Sequence, residues 1–217
     1  MMPLNFEQKG KSSYQILCLG AHSDDIEIGC GGTLLKLIDL YPNLHVHWVV
    51  LGASGDREQE AMNSARSVLQ KVIHKQIIIR GFRDGFFPYK GAEIKEYFET
   101  LKSSIDPDLI LTHYRHDRHQ DHRLVSDLTW NTFRDHLIWE YEIPKYDGDL
   151  GSPNLFVHLS EEICSQKIAN LFTHFESQSN KGWFTEDTFL SILRIRGVES
   201  NSPSKYAEGF YCRKMVL

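Results

Sequence analysis

The sequence predicts an α/β fold: a Rossmann-like, mostly parallel sheet with helices on both faces. Two observations carry that expectation. Short, nearly continuous apolar runs alternate with segments of helical period through the first two thirds of the chain, the order that buries a parallel sheet on both sides. The 217 residues, 41% hydrophobic and 24% charged, suffice for one large layered domain with a full core.

Tyr14 to Leu19 (YQILCL) reads as a first buried strand ended by Gly20, and Leu34 to Leu40 as a helix stopped by Pro42. His45 to Leu51 (HVHWVVL) is a second strand, after which Ala61, Ala65, Val68, Leu69 and Val72 recur at helical spacing. Gln76 to Arg80 forms a third strand and Ile94 to Ile105 a third helix. Leu109 to Thr112 follows Asp106-Pro107-Asp108 as a fourth strand, and Asp121 to Phe133 continues as a helix. Right-handed crossovers then give a doubly wound sheet. Ile138 to Ile143 reads as a further strand, and 146–154 (YDGDLGSPN) as a turn-rich loop. Ser160 to Phe175 is a helix, Ser160 capping it ahead of Glu161 and Glu162. Residues 176–217 carry only a weak pattern, and 1–13 read as an N-terminal extension to a single domain over 14–217.

The formal net charge is −5 and no Lys/Arg run exceeds two residues, which argues against nucleic acid as a partner. Cys18, Cys30, Cys164 and Cys212 have no CxxC spacing, so neither a disulfide framework nor a cysteine zinc site is expected. No apolar run approaches the length of a membrane span or a signal peptide, and the expected setting is the cytoplasm. The glycines Gly29, Gly31 and Gly32 fall outside the G-x-G-x-x-G frame, and no acidic residue ends the second strand, which argues against a nicotinamide cofactor.

Chemistry gathers at two strand ends. The first strand runs into Ala21-His22-Ser23-Asp24-Asp25, and the fourth into a run from His113 to His122. In open α/β sheets ligands collect beyond the carboxyl ends of the strands, so both clusters fall on one edge. His22 and Asp25, three apart at a strand-to-helix turn, are close enough to reach one ion, and His122 can supply a third ligand. Two imidazoles and one carboxylate leave the open position of a catalytic zinc, whose water acquires a pKa of roughly 7. Asp24, not needed as a ligand, is placed to act as general base. His119 can face a developing oxyanion, and Asp121 can orient one of the imidazoles. The same ligand set suits iron(II), so zinc is the first expectation and iron(II) the second.

These residues resemble the PIG-L/LmbE-like zinc-dependent N-acetylglucosaminyl deacetylases. The family's A-H-P-D-D motif with its glycine-rich sequel appears as AHSDDIEIGCGGTL, Ala21 to Leu34, and its H-x-D-H motif as His119 to His122. Arg57 to Ala61 (REQEA) resembles its R-x-x-E-A helix start, and Phe82 to Gly85 its short Asp-Gly loop. The likeness runs in order from Tyr14 to Val125, and Ser23 departs from the usual proline. The resemblance implies one zinc ion held by His22, Asp25 and His122, with Asp24 as base. It implies that His119 stabilises the tetrahedral intermediate, that Asp121 supports that imidazole, and that Arg57 and Asp84 line the substrate pocket. Either Asp24 or His119 would protonate the departing amine, with Asp24 preferred. The implied substrate is a small-molecule N-acetylglucosamine conjugate cleaved to acetate and a free amine, and the implied assembly a homo-oligomer, such as a hexamer. The metal motifs would sit in 14–125, while 137–217, with Trp139, Tyr141 and Tyr146, would shape the sugar pocket. The alternatives are an amidase or esterase on a non-sugar substrate, and a non-catalytic metal-binding oligomer.

Overall fold

Five strands lie parallel: β1 (Tyr14–His22), β2 (Leu44–Gly52), β3 (His74–Ile79), β4 (Leu109–His113) and β5 (Ile138–Tyr141). Two more, β6 (Leu155–Leu159) and β7 (Tyr206–Cys212), extend the sheet through antiparallel pairs of β7 with β5 and with β6. The seven strands run in the order β3-β2-β1-β4-β5-β7-β6. The structure is a computed structural model and describes residues 11–216; of the N-terminal extension expected at 1–13, residues 1–10 lie outside the described residues.

Helices α1 (Asp25–Leu40), α2 (Asp56–Val68), α3 (Gly91–Ser104), α4 (Gln120–Thr132), α5 (Glu161–His174) and α6 (Glu186–Glu199) cover the two faces. Strand side chains alternate between these faces. Ile16, Cys18, Val46, Trp48 and Val50 meet Cys30 and Leu34 of α1, Val68 of α2, Ile168 of α5 and Phe189 of α6. On the other side Leu17, Leu19, Val49 and Ile110 meet Ile94 and Phe98 of α3 and Val125 of α4. The chain walks outward from β1 to β3 with α1 and α2 on one face. It then returns through α3 to β4 on the other side of β1, so the helix lands on the opposite face. β1 and β4 are therefore neighbours whose connections leave in opposite directions, which opens a crevice at their carboxyl ends.

Helix α1 begins at Asp25, not at Leu34. Gly29, Gly31 and Gly32 weaken the helical pattern there, yet packing demands two of them. A Cβ on Gly29 would lie 2.1 Å from the Tyr141 ring, and one on Gly32 2.5 Å from Leu159 Cδ1. Trp139 and Tyr141, expected at the sugar pocket, are instead buried in the core, and the Tyr141 hydroxyl donates to Leu19 O at 2.6 Å. Tyr146 alone of the three is exposed. The segment after 176, weakly patterned in sequence, holds α6 and strand β7, which lies between β5 and the edge strand β6. No helix among the described residues is long and apolar enough to cross a membrane.

Candidate metal centre

β1 ends on His22, and α1 starts at Asp25 with Asp24 as its N-terminal flanking residue. β4 ends on His113, a short loop follows, and α4 opens with His119 as N-cap and Asp121 and His122 in its first turn. The pairing of β1 with β4 lays these two ends side by side. Residues about a hundred apart in sequence thus meet: His22 Nδ1 lies 3.1 Å from His122 Nε2, and Asp25 Oδ2 lies 3.5 Å from the former and 3.6 Å from the latter. Ligands about 2.0–2.2 Å from a tetrahedral ion stand roughly 3.3–3.6 Å apart. Two sides of the triangle have that length and the third, at 3.1 Å, is slightly shorter, and all three residues are buried.

Protonation argues the same way. His122 Nδ1 faces Asp117 Oδ2 at 2.9 Å, so that nitrogen carries the proton and Nε2 presents a lone pair. His22 Nε2 faces Asp121 Oδ2 at 3.2 Å and Asp84 Oδ1 at 3.1 Å, so it too is protonated and Nδ1 points inward. Two inward nitrogens at 3.1 Å beside a carboxylate require a cation between them, either a proton or a metal ion. Burial opposes charge on His22, but Asp121, Asp84 and Asp25 outweigh it and raise its pKa to about 10. Burial pushes His122 down to about 3, with His22, His119 and Lys145 adding to it against the pull of Asp25. Burial works against an ionised Asp25 as well, yet the imidazoles of His122, His113 and His22 hold its carboxyl well below the usual carboxylate range.

Three overlapping groups of possible ligand atoms occur here: His22, His119 and His122; His22, Asp84, His119 and Asp121; and Asp25, His113 and His122. Some of these atoms are already engaged. His113 Nε2 accepts the Ala21 N–H at 2.9 Å. The Asp121 oxygens accept N–H bonds from Gly85 at 2.6 Å and Phe87 at 3.1 Å, and His119 Nδ1 accepts the Asp121 N–H at 3.2 Å. Of the expected ligands, His22 Nδ1 and His122 Nε2 are the ring atoms left facing one another and Asp25.

The remaining site residues lie around this centre. Asp24 is buried but makes no capping hydrogen bond; its Oδ1 stands 3.8 Å from Arg57 Nη2. Burial and the neighbouring Asp25 raise its pKa to about 6, against Arg57, His22 and Lys181. His119 stands against the imidazoles of both His22 and His122, its ring centroid 4.8 Å from the former and 4.6 Å from the latter. Because its Nδ1 accepts the Asp121 N–H, its Nε2 carries a proton and can donate. The Asp121 carboxylate is directed to His22, not to His119, which differs from the expected pairing; only its backbone reaches the His119 ring. Arg57 Nε donates to Ser23 Oγ at 3.1 Å and its Nη1 to Asp84 Oδ2 at 3.2 Å, so the serine that stands in place of proline anchors this arginine. The hydrogen bond from His22 leads the influences, with burial opposing, that hold Asp84 well below the usual carboxylate range.

Sequence reasoning assigned no role to His113, Asp117 or Lys145. The first two belong to the same dense His/Asp run as His119 and His122, which was the available signal. Lys145, with Nζ 2.9 Å from Asp117 Oδ2, had none.

A family profile described as PIG-L, GlcNAc-PI de-N-acetylase, matches residues 17–133. YaiS of Escherichia coli (strain K12), an uncharacterized deacetylase, is 29% identical over 171 residues, covering 73% of this chain and 89% of YaiS. Among solved structures, the N,N'-diacetylchitobiose deacetylase of Pyrococcus horikoshii superposes with a TM-score of 0.69 at 22% identity, over 92% of this chain and 84% of its own. GalB of Pseudomonas putida KT2440, a 4-carboxy-2-hydroxymuconate hydratase, reaches a TM-score of 0.68 at 15% identity, over 94% of this chain and 98% of its own. At such identities these structures establish the shared fold.

Proposed function

The chain belongs to the PIG-L family of deacetylases, and from that premise we propose that it is a metal-dependent hydrolase that removes the N-acetyl group from an N-acetylglucosamine-type conjugate. The observation that carries the metal is the inward-facing pair of imidazole nitrogens, 3.1 Å apart beside Asp25. His22, Asp25 and His122 would hold the ion, zinc being our first choice and iron(II) the second. When bound, the ion supplies Lewis acidity, making water more acidic and polarising the amide carbonyl.

The chain's own residues do the rest. Asp24, lacking a capping bond and with its pKa raised to about 6, takes a proton from the attacking water as its oxygen bonds to the acetyl carbon. His119 donates from Nε2 to the oxygen on which negative charge develops. Asp24 then returns its proton to the nitrogen as the C–N bond breaks, leaving acetate and a free amine. Arg57 and Asp84, joined at 3.2 Å and partly exposed, form the rim that orients the sugar. The hydratase GalB shares the fold, so fold alone does not name the reaction.

The test is acetate release from a panel of N-acetylglucosamine conjugates, non-sugar N-acetyl amides and acetyl esters, with elemental analysis of protein purified without added metal. We expect release from the sugar conjugates only, abolished by a chelator and by Asp24→Asn. Turnover of amides or esters alone refutes the substrate class. Full turnover by Asp24→Asn with metal still bound refutes the base.

A further inference from the structure

Asp117 lies in the loop between β4 and α4 and is buried, although the reaction just described gives it no task. Its two oxygens serve different donors. Oδ1 accepts the His119 N–H at 2.7 Å. Oδ2 faces His122 Nδ1 at 2.9 Å and Lys145 Nζ at 2.9 Å. Lys145 comes from the segment between β5 and β6 and also reaches Asp149 Oδ2 at 2.5 Å, which in turn accepts the Arg118 N–H at 2.6 Å. The imidazole of His122 is thus backed by a carboxylate, and the carboxylate by an ammonium group.

Resting on the metal reading above, we propose that Asp117 is the positioning residue that keeps His122 a metal ligand, with Lys145 holding Asp117 in place from the neighbouring loop. A neutral imidazole has one proton and one lone pair, and whichever nitrogen is held by an acceptor keeps the proton. Asp117 fixes that proton on Nδ1 and so aims the Nε2 lone pair at His22 and Asp25. Without it, the other tautomer opens, in which Nε2 is protonated and cannot bind a cation. Outer carboxylates of this kind influence metal affinity by about 10–100-fold.

Asn is the informative replacement because it keeps the volume but supplies one acceptor where Asp117 serves both His119 N and His122 Nδ1. Its amide can itself donate to Nδ1 and draw the proton to Nε2. The measurements are zinc affinity by competition with a chromophoric chelator, the tautomer of His122 by nitrogen-15 NMR on metal-free, histidine-labelled protein, and the melting temperature of that protein.

We expect Asp117→Asn and Asp117→Ala to bind zinc about 10–100-fold more weakly, with Asp117→Asn shifting His122 toward the Nε2–H form at little change in melting temperature. Lys145→Met should weaken binding less. Wild-type affinity and an unchanged tautomer in Asp117→Asn overturn the assignment. A loss of affinity that only follows loss of folded protein, with the tautomer unmoved, overturns it as well. No zinc binding by the unaltered protein refutes the metal reading itself, a separate result.

Discussion

Lys167 of α5 and Glu208 of β7 form a buried ion pair at 2.6 Å, and both ends are spent on the backbone of α1. Glu208 Oε1 accepts the Gly32 N–H at 2.9 Å and Oε2 the Thr33 N–H at 2.7 Å, while Lys167 Nζ donates to Ile28 O at 2.6 Å. Ile28 O and Gly32 N are i and i+4 in the helix that begins at Asp25, so the ion pair grips both ends of one helical turn. Breaking a buried pair from one side costs about 3–5 kcal/mol, since the other charge stays buried. Lys167→Met should fall at the low end, about 3 kcal/mol, because two N–H donors still face Glu208. Glu208→Leu should cost more, about 4–5 kcal/mol, leaving an ammonium with one carbonyl. The double variant removes both charges at once, so neither stays buried without its partner. It should lose less than either single variant, which gives a coupling energy of at least about 4 kcal/mol, within the range found for close charge pairs. Urea unfolding of the four proteins measures the cycle. Single losses that add to within about 0.5 kcal/mol in the double variant refute the idea that the pair acts as one unit.

Metal removal should lower the melting temperature: zinc at a hundred times its Kd adds about 2.7 kcal/mol, or roughly 5–11 °C for a chain of this size, and re-addition should restore it. A calorimetric scan that does not move on chelation contradicts the ligand triangle. His119→Ala should lower kcat by about 100–1,000-fold while zinc content stays constant; a loss below tenfold in steady-state kinetics removes His119 from the oxyanion. Gly29→Ala drives a methyl into the Tyr141 ring and should cost about 1–3 kcal/mol or more. Gly91→Ala, with open space at the start of α3, should gain about 0.4–1 kcal/mol. Equal urea midpoints for these two glycine variants would deny that α1 is closely packed.

The inner sheet was legible because β1, β2 and β4 are buried on both faces and read as unbroken apolar runs. β7 was not, because it is equally buried yet carries Glu208, which Lys167 and the α1 backbone neutralise and which no local pattern announces. The first turns of α1 were hidden by glycines whose reason, Tyr141 and Leu159, lies more than a hundred residues away. At the site, His22, Asp25 and His122 were legible from their density at two strand ends. The partner of Asp121 was not: His119 and His22 are both within reach of a residue in the first turn of α4, and only the direction of its side chain decides. Asp117 was written in the same run but looked like any other member of it.

Asp24 and Asp25 face different neighbours because of where the helix starts. Successive residues around a helix point about 100° apart, from 3.6 residues per turn, so Asp24 and Asp25 cannot both face the same point. Asp25, first in α1, turns back toward β4, where His22, His113 and His122 surround it. Asp24, one residue earlier, is left toward Arg57 and Ser23 at the β2 side of the crevice. A carboxylate ringed by imidazoles is held ionised and can ligate; one that is buried beside that same carboxylate, with a cation no closer than 3.8 Å, is left able to exchange a proton. The different surroundings on which the proposed ligand and base rest are therefore a consequence of one residue's advance along the backbone, fixed by the turn from β1 into α1.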